Sequence, residues 1–198
     1  MHIWSRLVDS LPHRALVALL PLLLVPTGCL MAAPVFTLAP AGQGEWTLKA
    51  QFIIELASFL QFPRPKDAAS PFVIVVLGES PFHGELENYA KGRLIQGRPI
   101  RIRYLPHVPE GQDCDLLFIC RSESARARAI VAWCRSRAIL TVAEGDQLAA
   151  QGVMVNLLVE GTYLRLGLNQ RALEEEGFAI GAQVLKVARV LVPPKRRP

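Results

Sequence analysis

The chain has 198 residues, of which 51% are hydrophobic and 20% charged, enough for one domain with a full core and cramped for two. Of its formal charge of +5, the first 33 residues supply +1 and Lys195, Arg196 and Arg197 supply +3, so the body is nearly neutral. A neutral body offers no broad phosphate-binding surface, which excludes nucleic acid as an expected partner.

Met1 to Ala33 has the three-part form of a secretory signal, with Arg6 and Arg14 ahead of an apolar run from Ala15 to Val25 and small residues after it. The run is short of the roughly 20 apolar residues that a span needs, and Pro21 and Pro26 interrupt the region. Three processing points compete. Cleavage after Ala33 would leave Pro34 first, Ala39-Pro40-Ala41 fits the small-x-small rule further on, and Thr27-Gly28-Cys29 is similar to a lipoprotein box with Cys29 lipidated. Residues 34–45, rich in Ala, Pro and Gly, are expected to form a flexible lead-in.

Thr47 to Gln61 reads as a helix buried almost all round, with a narrow polar stripe of Gln51, Glu55 and Ser58, Thr47 as N-cap, and Phe62-Pro63-Arg64-Pro65 as its stop. Phe72 to Leu77 is an unbroken apolar run and therefore an interior strand. A turn through Gly78-Glu79-Ser80-Pro81 and a short helix from Phe82 to Ala90 follow. From Ile100 to Tyr104 apolar residues alternate with Arg101 and Arg103, the pattern of a charged edge strand.

Asp115 to Cys120 is a second unbroken run, the expected central strand. Beyond it Ala127, Ile130, Val131 and Cys134 fall at i, i+3, i+4 and i+7, a helix from Ser122 to Arg135 with Ser122 as N-cap. Ile139 to Val142 is another short strand, and Glu144-Gly145-Asp146 leads into a helical turn. Val153 to Val159 and Thr162 to Leu168 flank Glu160-Gly161, a hairpin signal. Asn169 caps a short helix, and Val184, Val187, Ala188 and Leu191 mark a closing amphipathic helix stopped by Pro193-Pro194.

Helices between apolar strands imply right-handed crossovers. The expected fold is a single three-layer α/β/α domain over residues 46–192, with a mixed sheet of about six strands built from a parallel core and a C-terminal antiparallel hairpin. Residues 193–198 form a basic tail.

An oxidising compartment permits disulfides. The helix rises about 1.5 Å per residue and returns Cys134 toward the strand end that holds Cys114, so Cys114 with Cys134 is the favoured pair; the alternative is that Cys114, Cys120 and Cys134 are all buried thiols.

Catalytic chemistry is sparse. His83 and His107 lack metal-site spacing, no cofactor motif is present, and Gly78-Glu79-Ser80-Pro81 is no phosphate loop because Pro81 removes a donor. Ligands of open α/β sheets settle at the carboxyl ends of strands, which makes Glu79, Ser80, Ser122, Glu144 and Asp146 the ligand-binding candidates. They are equally readable as solvated loop caps. Candidate partner-binding residues are Arg98, Arg101 and Arg103 on the basic edge, and Arg121, Glu123, Arg126 and Arg128 on the central unit; ordinary soluble surface is the alternative for each arginine.

Several segments taken together carry a resemblance: LKAQFIIELASFLQFP (Leu48 to Pro63), PFVIVVLGESPF (Pro71 to Phe82), IQGRPIRIRYL (Ile95 to Leu105), CDLLFICRSE (Cys114 to Glu123), ILTVAEGDQLAAQGVMVNLLVEG (Ile139 to Gly161) and LGLNQRALEEEGFAIGAQVLKVARVL (Leu166 to Leu191). In this order and spacing they resemble the YfiR family of exported bacterial proteins. Phe62 stands where the family commonly has tryptophan, and Gly181 and Ala182 where it often has serines. The resemblance implies a periplasmic regulator rather than an enzyme, one that self-associates as a homodimer and holds a membrane-bound diguanylate cyclase of the YfiN type, or the periplasmic domain of a sensor kinase, inactive. An outer-membrane lipoprotein of the YfiB type would relieve the repression, with consequences for cyclic di-GMP and biofilm formation. The alternative is a periplasmic small-ligand-binding sensor protein acting on a membrane sensor kinase.

Overall fold

An apolar run without a polar side is stable only where both faces of a sheet are covered, and the two such runs of this chain lie side by side at the middle of one sheet. The computed structural model describes residues 44–64, 66–111, 114–161 and 163–195. The expected signal segment with Cys29, the lead-in up to residue 43, and Arg196 and Arg197 lie outside the described residues.

In chain order, α1 (Gly44–Phe59) and β1 (Leu60–Gln61) precede β2 (Phe72–Leu77), α2 (Glu85–Ala90), β3 (Leu94–Ile95) and β4 (Arg98–Leu105). Next come β5 (Leu116–Ile119), a 3-10 helix over Arg121–Arg126, α3 (Ala127–Cys134), β6 (Leu140–Glu144) and a second 3-10 helix over Asp146–Gln151. The chain closes with β7 (Val155–Glu160), β8 (Tyr163–Asn169), α4 (Gln170–Glu175), β9 (Ala179–Ile180), α5 (Ala182–Val187) and β10 (Arg189–Val192).

The main sheet has the order β10-β8-β7-β6-β5-β2-β4-β3, and β1 and β9 form a separate antiparallel pair. Strands β4, β2, β5, β6 and β7 are parallel, β8 returns antiparallel to β7, and β10 runs parallel to β8. Alternate side chains sort the core into two clusters. Phe72, Ile74 and Val76 pack with Leu116 and Phe118 beneath α1, α2 and Val184 of α5. Val73, Val75 and Leu77 pack with Leu117 and Ile119 beneath Ala127, Ile130, Val131 and Cys134 of α3. The three-layer α/β/α architecture is thereby that expected from the sequence, with eight strands in the described sheet instead of about six.

The differences have local causes. Helix α1 begins at Gly44, ahead of Thr47, whose hydroxyl donates to Glu85 Oε2 at 2.7 Å and ties α1 to α2 instead of capping. Ser122 does not cap α3: a 3-10 helix intervenes, and Ser122 Oγ accepts the Glu79 N–H at 3.0 Å. The closing helix stops at Val187 and its expected last turn is β10, because β8 offers an unpaired edge and Gly167 leaves room for the Leu191 side chain against the sheet. From Ile100 on, β4 has the open edge expected of it, since the two residues of β3 pair only with Arg98 and Pro99. Asn169 does cap α4, accepting the Ala172 N–H at 3.0 Å.

Candidate functional site

The chain leaves β2 through α2 toward β4 on one side, and leaves β5 through α3 toward β6 on the other. The carboxyl ends of β2 and β5 therefore form the point where the winding reverses, the place where open α/β sheets leave a crevice. Gly78, directly after β2, has φ of 93°. A Cβ there would fall 2.4 Å from Ser122 Oγ and 2.7 Å from Glu123 Cγ, so only glycine lets the two loops close on each other. Around this contact is a cleft of about 370 Å³ lined by Gly78, Glu79, Tyr104, Leu105, Pro106, Ser122 and Glu123.

Of the ligand candidates, the cleft brings together Glu79 and Ser122. Ser80 turns to accept the Phe82 N–H at 3.3 Å and also meets the Tyr104 hydroxyl. Burial, then the hydrogen bond to the Glu87 carboxylate, pushes the Tyr104 phenol well above its ordinary pKa, so it remains a neutral donor across the physiological range. Asp146 is exposed in the turn after β6 and does not line the cleft.

Glu144 has another task. Its carboxylate pairs with Lys49 Nζ, which also pairs with Glu45. Lys49 is fully buried, with its ammonium 4.0 Å from the centroid of the Trp46 ring. Trp46 stacks edge-on against Phe82, and Phe82 against Phe118. This clamp fastens the start of α1 to the carboxyl end of the sheet and holds Glu144 away from any ligand. A single lysine in an apolar stretch gave no sign of this role.

The partner-binding candidates divide in the same way. Arg98 is 3% exposed and is not available to a partner. Its guanidinium forks onto Asp115, at 3.1 Å to Oδ1 and 2.8 Å to Oδ2, and its Nε donates to the Ser70 carbonyl at 3.0 Å. Lys66 Nζ adds a contact of 2.9 Å to Asp115, and the Val73 N–H one of 2.8 Å. Burial alone would raise the Asp115 pKa, but these donors outweigh it and hold the carboxyl below its ordinary value. Glu123 is likewise buried, and accepts from Arg126 Nε at 2.9 Å. Arg101, Arg121, Arg126 and Arg128 are exposed, and Arg103 is half-buried.

Cys114, Cys120 and Cys134 are all buried free thiols. Cys114 and Cys134 belong to the α3-side cluster and Cys120 to the other. Burial pushes Cys120 and Cys134 up to about 12, and burial together with the neighbouring Cys134 thiol raises Cys114 as well. They are poor nucleophiles, since the thiolate is the reactive form. Among the described residues no group of three or more His, Cys, Asp or Glu side chains is placed to hold a metal ion, and no helix is long and apolar enough to cross a membrane.

Fold and site together describe an α/β domain with a shallow cleft at its winding reversal and exposed arginines around its central unit. The model of the YfiR/HmsC-like family, DUF4154, matches residues 47–189, and the chain belongs to that family. Its members are periplasmic regulators of diguanylate cyclase signalling. No curated protein matches the chain. Among solved structures, an ABC domain in complex with L-Trp from Streptococcus pneumonia is 12% identical with a TM-score of 0.49. The match covers 72% of this chain, which spans only 59% of the solved one.

Proposed function

We propose that this chain is exported through its N-terminal segment and, as a homodimer in the periplasm, represses a membrane-bound diguanylate cyclase of the YfiN type. An outer-membrane lipoprotein of the YfiB type relieves that repression by sequestering the repressor. Family membership across residues 47–189 is the observation that carries this reading. The exposed arginines of the central unit support it, because Arg121 at the start of the 3-10 helix after β5 and Arg128 on α3 are both open to a partner. Tagged mature protein should capture a diguanylate cyclase, identified by mass spectrometry, from solubilised membranes of its host. Arg121→Glu and Arg128→Glu should weaken that capture while leaving the melting temperature in place. Capture of no cyclase, or capture indifferent to both reversals, would contradict this assignment.

The cleft between the β2 and β5 loops favours a second reading, a small-ligand sensor acting on a membrane sensor kinase. Glu79 and Ser122 suit a ligand with a cationic or donor-rich group. A thermal-shift screen with amino acids and nucleotides should raise the melting temperature under this reading, and a flat screen removes it.

A further inference from the structure

The outer edge of β4 is open for most of its length. β3 pairs only Leu94 with Pro99 and Ile95 with Arg98, so the six residues from Ile100 to Leu105 have β2 on one side and no described strand on the other. The Leu105 carbonyl accepts the Gly78 N–H on the β2 side. Backbone groups in a parallel strand point to alternate sides from one residue to the next, so the N–H and C=O groups of Ile100, Ile102 and Tyr104 point outward. They form a template of about 20 Å for a further strand. Pro99 and Pro106 bracket it.

The side chains along this edge alternate too. Ile100 and Ile102 pack partly on the α1 and α2 face, while Leu105 packs on the α3 face. Arg101 and Arg103 share the parity of Leu105 and stand on that second face, with Arg101 exposed. Exposed apolar groups mark the two ends, Leu94 at 58% and Tyr104 at 43%.

We propose that the edge of β4 from Ile100 to Leu105 is a docking site for an extended acidic segment of a partner protein, added to the sheet as a ninth strand. Main-chain bonds supply affinity, and alternate side chains supply selection. Acidic residues at every second position face the row that carries the exposed Arg101, and apolar residues between them continue the row of Ile100 and Ile102. Charge complementarity separates this occupant from a second copy. Two β4 edges paired about a twofold axis would bring arginines against arginines, and like charges across a ladder are destabilising. The charges that keep two copies apart admit a strand of opposite sign. The proposal gives a mode of docking to the regulatory reading above and rests on it for the existence of a protein partner.

The test uses the mature protein and a fluorescent hexapeptide alternating Glu and Val, followed by anisotropy. Two control peptides are a version with Lys in place of Glu, and a version N-methylated at alternate residues, which keeps every charge but cannot donate to the strand. The acidic peptide should bind, more weakly as salt is raised, and both controls should fail. Arg101→Glu should weaken binding about two- to fivefold, the worth of one cross-strand charge pair, with the melting temperature unchanged. Absence of binding by the acidic peptide, equal binding by the N-methylated one, or undiminished affinity in Arg101→Glu each overturns the proposal. A dimer in analytical ultracentrifugation that dissociates on Ile102→Pro, which removes an outward N–H, would assign the edge to a second copy and overturn it as well. None of these outcomes alters cyclic di-GMP in a strain lacking the gene, so failure here is distinguishable from failure of the regulatory function.

Discussion

Asp115 stands at the amino end of β5 where the Val73 N–H, the fork of Arg98 and Lys66 Nζ all donate to it. Removing its charge leaves Arg98 buried and uncompensated, and losing one member of a buried pair costs about 3–5 kcal/mol. Asp115→Asn should therefore lower the urea stability at neutral pH by about that amount, and a loss under about 0.5 kcal/mol would contradict the role given to this clamp. The pH dependence has a definite sign. The folded-state pKa is depressed below the ordinary 3.8, so the stabilisation is present above the unfolded-state value and is lost as pH falls through the folded one. Wild type should lose stability in that acid window, and Asp115→Asn should lose correspondingly less there. The cysteines make a second case at this scale. With their pKa values raised by burial, Cys114, Cys120 and Cys134 should react with a thiol reagent only slowly at pH 8 in the folded protein and all three should react on unfolding. A count lower by two in the denatured protein would show that Cys114 and Cys134 are joined.

Elements were legible in the sequence to the degree that their own residues decide them. β2 and β5 are apolar throughout, which leaves interior strands as their one stable use, and the Glu160-Gly161 turn sets the hairpin of β7 and β8. The stripe on α1 was also readable, and its Glu55 accepts from the Tyr89 hydroxyl at 2.8 Å. β10 was not readable. Val184, Val187, Ala188 and Leu191 fit a helical period, yet what decides the conformation after Val187 is the open edge of β8, some 20 residues earlier. Gly167 is the permissive residue there, since a Cβ would come 2.6 Å from Leu191 Cδ1 and 3.1 Å from Leu158 Cδ1. Gly167→Ala should cost about 1–3 kcal/mol by overpacking and should raise amide exchange in β10 more than in β5. Uniform exchange with unchanged stability would show that this contact is slack. The site follows the same logic: Gly78 and Ser122 belong to loops joined only by the fold, and the burial of Arg98 depends on Asp115 across β2. Alternation along β4 puts Arg98 on the face of Ile100 and Ile102 and Arg101 on the other, but it gave no sign that Asp115 pairs with Arg98 and buries it.

The whole molecule has a neutral, densely apolar interior and puts its polar chemistry at the two ends of the sheet. At the amino end the Arg98–Asp115 clamp is structural. At the carboxyl end Lys49 and Glu144 fasten α1, leaving a modest cleft and the arginines of the central unit accessible. Buried thiols of raised pKa and a carboxylate locked to lysine make poor nucleophiles and bases, whereas rigid, exposed charge suits recognition. That division agrees with membership of a family of regulators. The most direct test of the regulatory claim is cyclic di-GMP, measured by mass spectrometry in a strain lacking this gene, in its parent, and in the deletion strain carrying the gene on a plasmid. Repression of a diguanylate cyclase requires that the deletion raise cyclic di-GMP and that the plasmid restore the parental level. An unchanged level in the deletion strain would contradict it.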